Sequence, residues 1–227
     1  MNIIVTGANT GIGLDLVKKY CDLKFNVLGF SRNIDNLKSL KNKYSNFSYI
    51  SFDLSQGDYE KDLIPFIKRE TGGRIDIMVN NAGYLVNKKF FDLSENDILK
   101  SFEINVFSIF KLTRLLYSYF QNGSKIINIS SLGGLPYTKK ISGLSAYSSS
   151  KAAVSILTEC LAEEFSKQGV YCNCFALGAV KTKMLKKAFP DFKGGKDVNY
   201  VSENIVKFSL SKDKLFTGKI INLADSF

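Results

Sequence analysis

A tyrosine and a lysine, Tyr147 and Lys151, stand four positions apart in Ala146-Tyr147-Ser148-Ser149-Ser150-Lys151-Ala152-Ala153. On a helix that spacing puts both on one face. A free phenol ionises near about 10, and an ammonium beside it favours the phenolate, so such a pair can exchange a proton with a substrate oxygen. Tyr-x-x-x-Lys alone also describes a common solvated surface pair. The chemistry therefore needs company elsewhere in the chain.

Close to the N-terminus, Thr6-Gly7-Ala8-Asn9-Thr10-Gly11-Ile12-Gly13 closes a short apolar run and opens an amphipathic segment. Glycines at 7, 11 and 13 allow a tight turn and close backbone approach, and the free N–H groups of the helix behind them suit a pyrophosphate. Gly7, Asn9, Thr10, Gly11, Ile12 and Gly13 are the expected phosphate-side residues. At the end of the second apolar run, where an NAD-binding fold often carries an acidic ribose ligand, the chain has Ser31-Arg32. Arg32 suits a 2′-phosphate and thus NADP, although a surface arginine opening the next helix fits the same pattern. Asp53, followed by Leu54, closes the third run and could accept from an adenine amino group or cap the next helix.

Composition narrows the remaining chemistry. The 227 residues include no histidine, so Ser-His-Asp and Cys-His systems, HExxH zinc sites and histidine bases are excluded. Cys21, Cys160, Cys172 and Cys174 lack CxxC spacing, and no metal is expected. Lys plus Arg number 31 against 21 Asp plus Glu, a net charge of +10. The lysines are dispersed, which reads as a solvated surface and not as a nucleic-acid stripe. No run is apolar enough to cross a membrane and no leader precedes the first strand, so a soluble, cytoplasmic protein with reduced thiols is expected.

The elements that must position these residues alternate along the chain. Strands are expected at 2–6, 25–30, 47–52, 75–79, 124–130, 170–176 and 219–223, and helices at 11–23, 33–44, 57–70, 94–121, 145–168 and 198–210. This alternation predicts an α/β fold, one doubly wound Rossmann-type domain over 1–227, with a seven-stranded, mainly parallel sheet and helices on both faces. The helix at 94–121 carries an apolar surface broader than one core-facing stripe, which suggests a partner subunit. Cys172 and Cys174, two apart in a strand, should share one side and belong to the core.

Taken in order, TGANTGIG at 6–13, Asn80-Asn81-Ala82-Gly83, Asn105 in FEINVFS, Ser131 in NISSLGG, YSSSK at 147–151 and Gly178-Ala179-Val180-Lys181-Thr182 resemble the short-chain dehydrogenase/reductase family. The likeness runs from the first strand to TGKIINLADS near the C-terminus. It implies Tyr147 as general acid or base, Lys151 lowering the phenol pKa and bonding the nicotinamide ribose, Ser131 holding the substrate oxygen, and Asn105 kinking its helix and positioning a relay water. It also implies Asn81, Ala82 and Gly83 along the adenosine side, and Gly178, Val180 and Thr182 near the nicotinamide. Ser130 is the rival for the serine role.

Three departures from the family pattern stand out. Leu177-Gly178 replaces the usual Pro-Gly, which frees one backbone angle above the nicotinamide. The Ser131-to-Tyr147 stretch is long and carries Lys139 and Lys140. The substrate loop, about 178–198, is short. The expected activity is hydride transfer between a nicotinamide, NADP(H) preferred and NAD possible, and a carbonyl or secondary alcohol. The alternative is a catalytically silent NAD(P)-binding sensor, against which the presence of Tyr147, Lys151, Ser131 and Asn105 weighs. A homodimer or homotetramer is expected, and lysines near the two loops suit an anionic substrate.

Overall fold

Ile3 and Val5 turn to one face of a sheet and Ile4 to the other, and all three are fully buried. A strand that hides both faces must lie between two helical layers, and this is the arrangement in the computed structural model, which describes residues 1–211 and 216–223. Seven strands form one sheet in the order β3-β2-β1-β4-β5-β6-β7. They are β1 (Asn2–Thr6), β2 (Asn26–Ser31), β3 (Phe47–Ser51), β4 (Ile75–Asn80), β5 (Phe120–Ser131), β6 (Tyr171–Leu177) and β7 (Ile220–Leu223). Every pairing is parallel. Strand order reverses between β1 and β4, and a crevice opens there at the carboxyl ends of the strands.

One core layer contains α3 (Ile64–Thr71), α4 (Glu95–Phe102), α5 (Ser108–Leu115) and α6 (Ser145–Glu164), packed over Ile4, Leu28, Met78 and Ile126. Cys172 and Cys174 are fully buried in this layer. The other layer sets α1 (Gly11–Asp22), α2 (Asp35–Lys43) and α8 (Val198–Leu210) against Ile3, Val5, Val27, Ile77 and Phe175.

Three expected elements differ. The helix at 94–121 is two α-helices joined by a π-helical turn, Glu103–Phe107, and it gives way at Leu115 to a short 3-10 turn. Strand β5 starts at Phe120, four residues earlier than expected, because its pairing with β4 shifts register between Ile75–Phe120 and Ile77–Lys125. The expected helix at 57–70 begins with a second π turn, Tyr59–Leu63. A short helix absent from the sequence reading, α7 (Lys183–Ala188), covers the mouth of the crevice. Of the C-terminal motif, Ala224, Asp225 and Ser226 lie outside the described residues.

Candidate active site

The loop after β1 makes its turn through Gly7 at φ 65° and Gly11 at φ 56°. A side chain on Gly7 would meet the Ala82 Cα at 2.8 Å, so the loop can lie against the segment after β4 only with glycine there. Thr6 Oγ1 accepts from the Ala82 amide at 2.8 Å, and Asn81 Nδ2 donates to the Thr6 carbonyl at 2.9 Å. Thr10 precedes α1 without a side-chain cap, which leaves first-turn amides for an anion. Helix and loop thus present an anion cradle at the switch point.

A cavity of about 830 Å³ runs from this cradle across the carboxyl ends of the strands. Gly7, Thr10, Gly11, Ile12, Ser31, Arg32, Asp53, Leu54, Asn81, Ala82, Gly83, Ser131, Tyr147, Lys151, Gly178, Val180 and Thr182 line it. Asn9, Gly13 and Asn105 do not. Asn9 is buried and spent between loops: its Nδ2 donates to Asn33 Oδ1 at 2.7 Å and its Oδ1 accepts from the Asn36 amide at 2.9 Å. Gly13 is a packing glycine, since a Cβ there would lie 2.4 Å from the Gly7 carbonyl oxygen.

Arg32 is exposed at one end of the cavity. Asp53 is held by its own turn, its Oδ1 accepting from the Ser55 amide at 2.9 Å and hydroxyl at 2.6 Å. Burial pushes this carboxyl up, but the Ser55 bonds and the nearby charges of Arg32 and Lys100 outweigh it and hold the group below its usual range.

At the other end, β5 delivers two serines with different duties. Ser130 is buried; its hydroxyl donates to the Lys151 carbonyl at 2.7 Å and accepts from the Ser155 hydroxyl at 3.0 Å. Ser131 instead faces the Tyr147 phenol and accepts from the Gly133 amide at 3.2 Å. Burial pushes the phenol up to about 12, with the Ser131 hydroxyl pulling the other way. The Lys151 ammonium sits 5.9 Å from the Tyr147 ring centroid and donates to the Ile129 carbonyl at 2.7 Å. Burial lowers it to about 8, and the Cys174 thiol acts in the opposite direction. The depression of the phenol by Lys151 that the family resemblance implies is set against this loss of solvent around Tyr147, which pushes the other way.

Asn105 is fully buried in the π turn, and both ends of its amide bond the backbone of Tyr84. Sequence reasoning missed Tyr84, whose backbone conceals the role. It also missed the apolar wall formed by Leu85, Ile141, Leu144, Met184, Phe189 and Phe192. The Leu177-Gly178 loop is pinned: Val180 pairs with Lys196, and the Lys196 amide donates to the Ala179 carbonyl at 2.9 Å.

An uncapped helix N-terminus behind a glycine turn, at the switch point of a parallel sheet and in line with a hydroxyl, a phenol and a buried ammonium, defines a dinucleotide-binding α/β oxidoreductase fold. The family profile described as short chain dehydrogenase matches residues 1–193, and the chain belongs to that family. It is 34% identical over 193 residues to the benzil reductase ((S)-benzoin forming) of Saccharomyces cerevisiae, covering 81% of this chain and 73% of that one. To the diacetyl reductase [(S)-acetoin forming] of Staphylococcus epidermidis it is 30% identical over 189 residues, 80% and 72% of the two chains. A solved 4-hydroxyisoleucine dehydrogenase mutant, complexed with NADH and succinate, superposes with a TM-score of 0.87 at 23% identity over 98% of this chain and 96% of that one. Among the described residues no helix is long and apolar enough to cross a membrane.

Proposed function

We propose that the protein is an NADP(H)-preferring carbonyl reductase or secondary-alcohol dehydrogenase, working as one catalytic domain and accepting NAD less well. The observation that carries this reading is the facing pair Ser131 and Tyr147 above the buried Lys151, in one continuous cavity with the glycine cradle. The residues fit a nicotinamide dinucleotide: uncapped amides for the pyrophosphate, Arg32 for a 2′-phosphate, and Val180 and Thr182 on the wall of the same cavity, Thr182 next to Gly11. When bound, the nicotinamide supplies or accepts the hydride. Ser131 holds the substrate oxygen, and Tyr147 gives its proton to that oxygen as negative charge develops on it. A phenol kept protonated by burial suits donation. The charge of Lys151 steadies the phenolate left behind, and Asn105 fixes the backbone that flanks it.

Assembly as a homodimer or homotetramer belongs to the same reading. Phe107, Phe110 and Ile156 are 45%, 53% and 61% exposed on α6 and on the segment from the π turn into α5.

The similar reductases are named for diacetyl and benzil, so 1,2-diketones are the first substrates to offer with NADPH. The expected result is NADPH consumption that Tyr147→Phe lowers about a hundredfold or more while cofactor binding stays within a few fold. A Phe variant with wild-type rates would overturn the mechanism.

A further inference from the structure

Beyond Ser131 and Tyr147 the cavity wall turns apolar, with Leu85, Ile141 and Leu144 on one side and Met184, Phe189 and Phe192 on the side of α7. Such a wall holds a hydrocarbon body but gives a neutral ketone little to fix which way round it lies. The loop between β5 and α6 sets a cation into this wall. Lys139, midway between Ser131 and Tyr147, lines the cavity.

Its neighbour is turned away. The Lys140 ammonium donates back to the Leu135 carbonyl and, at 2.9 Å, to Thr138 Oγ1. Thr138 in turn donates to the Leu132 and Leu135 carbonyls at 2.6 and 2.9 Å, so the loop closes on itself and holds its shape. Lys196, also on the cavity wall, has its ammonium 4.6 Å from the Tyr200 ring centroid. Lys139 makes no ion pair among the described residues. Among the described residues that line the cavity, Asp53 is the only acid, and it lies near Arg32.

Resting on the reductase reading above, we infer that the substrate is an amphipathic carbonyl compound with an apolar body and an anionic terminus, and that Lys139 pairs with that terminus. The apolar wall takes the body, Ser131 and Tyr147 take the carbonyl oxygen, and the ammonium at the cavity edge selects the orientation. Lys139 is exposed at the cavity edge, so an anion arriving there meets a solvated cation with no acidic competitor among the described lining residues other than Asp53 beside Arg32, distant in sequence. A neutral analogue leaves the ammonium in water and gains nothing from it.

The test uses levulinate, 6-oxoheptanoate and 9-oxodecanoate, each beside its methyl ester, which keeps the ketone and removes the charge. Two quantities are read on the full protein: kcat/KM with NADPH, and affinity for the protein–NADP⁺ complex by calorimetry. At the best-fitting chain length the wild type should favour the acid over its ester by about tenfold, the scale of one charge-assisted contact. Lys139→Ala should bring the ratio near one, Lys139→Glu should invert it, and Lys139→Arg should restore most of it. An equal preference for acid and ester in wild type, or a ratio unmoved by Lys139→Glu, overturns the assignment while leaving reduction of the ester as evidence for the reductase. If acid binding depends on Lys139 but no ketone in the series is turned over, the anion subsite stands and the catalytic reading is the part in error.

Discussion

Asn105 holds Tyr84 as a neighbouring strand would, its Oδ1 accepting from the Tyr84 amide at 2.7 Å and its Nδ2 donating to the Tyr84 carbonyl at 2.9 Å. The same Nδ2 donates to Ser150 Oγ at 2.8 Å and so reaches the residue next to Lys151. Gly83 lies in the fork: a Cβ on it would be 3.5 Å from Asn105 Oδ1 and 3.6 Å from Lys151 Nζ. One buried amide in the π turn thus bonds both the Tyr84 segment and α6.

Replacing Asn105 by Ala should strand the Tyr84 amide and carbonyl in a largely dry site. Unmade bonds of this kind cost roughly 1–3 kcal/mol each, so a destabilisation of about 2–6 kcal/mol is expected, with kcat falling more than cofactor affinity. Urea unfolding and steady-state kinetics read the two effects. An unchanged unfolding midpoint would show that the clamp adds no stability.

Cofactor preference should follow Ser31 and Arg32. Loss of a charge-assisted contact to a 2′-phosphate costs about 1.5–3 kcal/mol, roughly ten- to a hundredfold in affinity. Ser31→Asp combined with Arg32→Ala should reverse the preference, because a carboxylate repels the phosphate and accepts from a free 2′-hydroxyl. Fluorescence titration of both proteins with NADPH and NADH decides it. An unaltered ratio would put Arg32 outside the phosphate site.

The burial of Lys151 gives a pH signature. With its value lowered to about 8, the lysine carries its proton below that pH and loses it above, whereas the Tyr147 phenol at about 12 stays protonated throughout. The expected profile of kcat/KM for carbonyl reduction is level up to about pH 8 and then falls about tenfold per unit, because the charge that steadies the phenolate is gone. A profile still level at roughly pH 9.5 would show that the lysine charge is not required for the proton step.

Sedimentation at micromolar concentration tests the exposed face of Phe107, Phe110 and Ile156. A dimer or tetramer is expected, and Phe110→Glu should shift it towards monomer by placing a charge in an apolar contact. A lone 25.4 kDa species for the unaltered chain would rule out the assembly.

Much of the sheet was legible because both faces of its strands are covered, which leaves short β-branched runs such as Ile3-Ile4-Val5 with little competing pattern. The glycine loop and the Tyr147–Lys151 spacing were legible for a similar reason: their geometry is local. The π turn at Glu103–Phe107 was not, since one extra residue in a turn leaves the surrounding apolar period almost intact. Helix α7 has six residues, too few for a period to emerge. The side-chain partners of Asn9, Asn33 and Asn36, were not legible because they arrive from the next crossover. The burial of Tyr147 was out of reach as well. Spacing places two side chains on one face but says nothing about how much solvent remains around them.

Asn87 donates to the Ala188 carbonyl at 2.8 Å at the end of α7, and the adjoining Lys88 amide donates to the Gly143 carbonyl at 3.0 Å in the Lys139 loop. Two neighbouring residues thus fasten both jaws of the mouth to the strip of chain that Asn105 anchors from below. The two sides of the cavity mouth and the Tyr84 clamp beside Lys151 are therefore tied to one short strip of chain, residues 84–88.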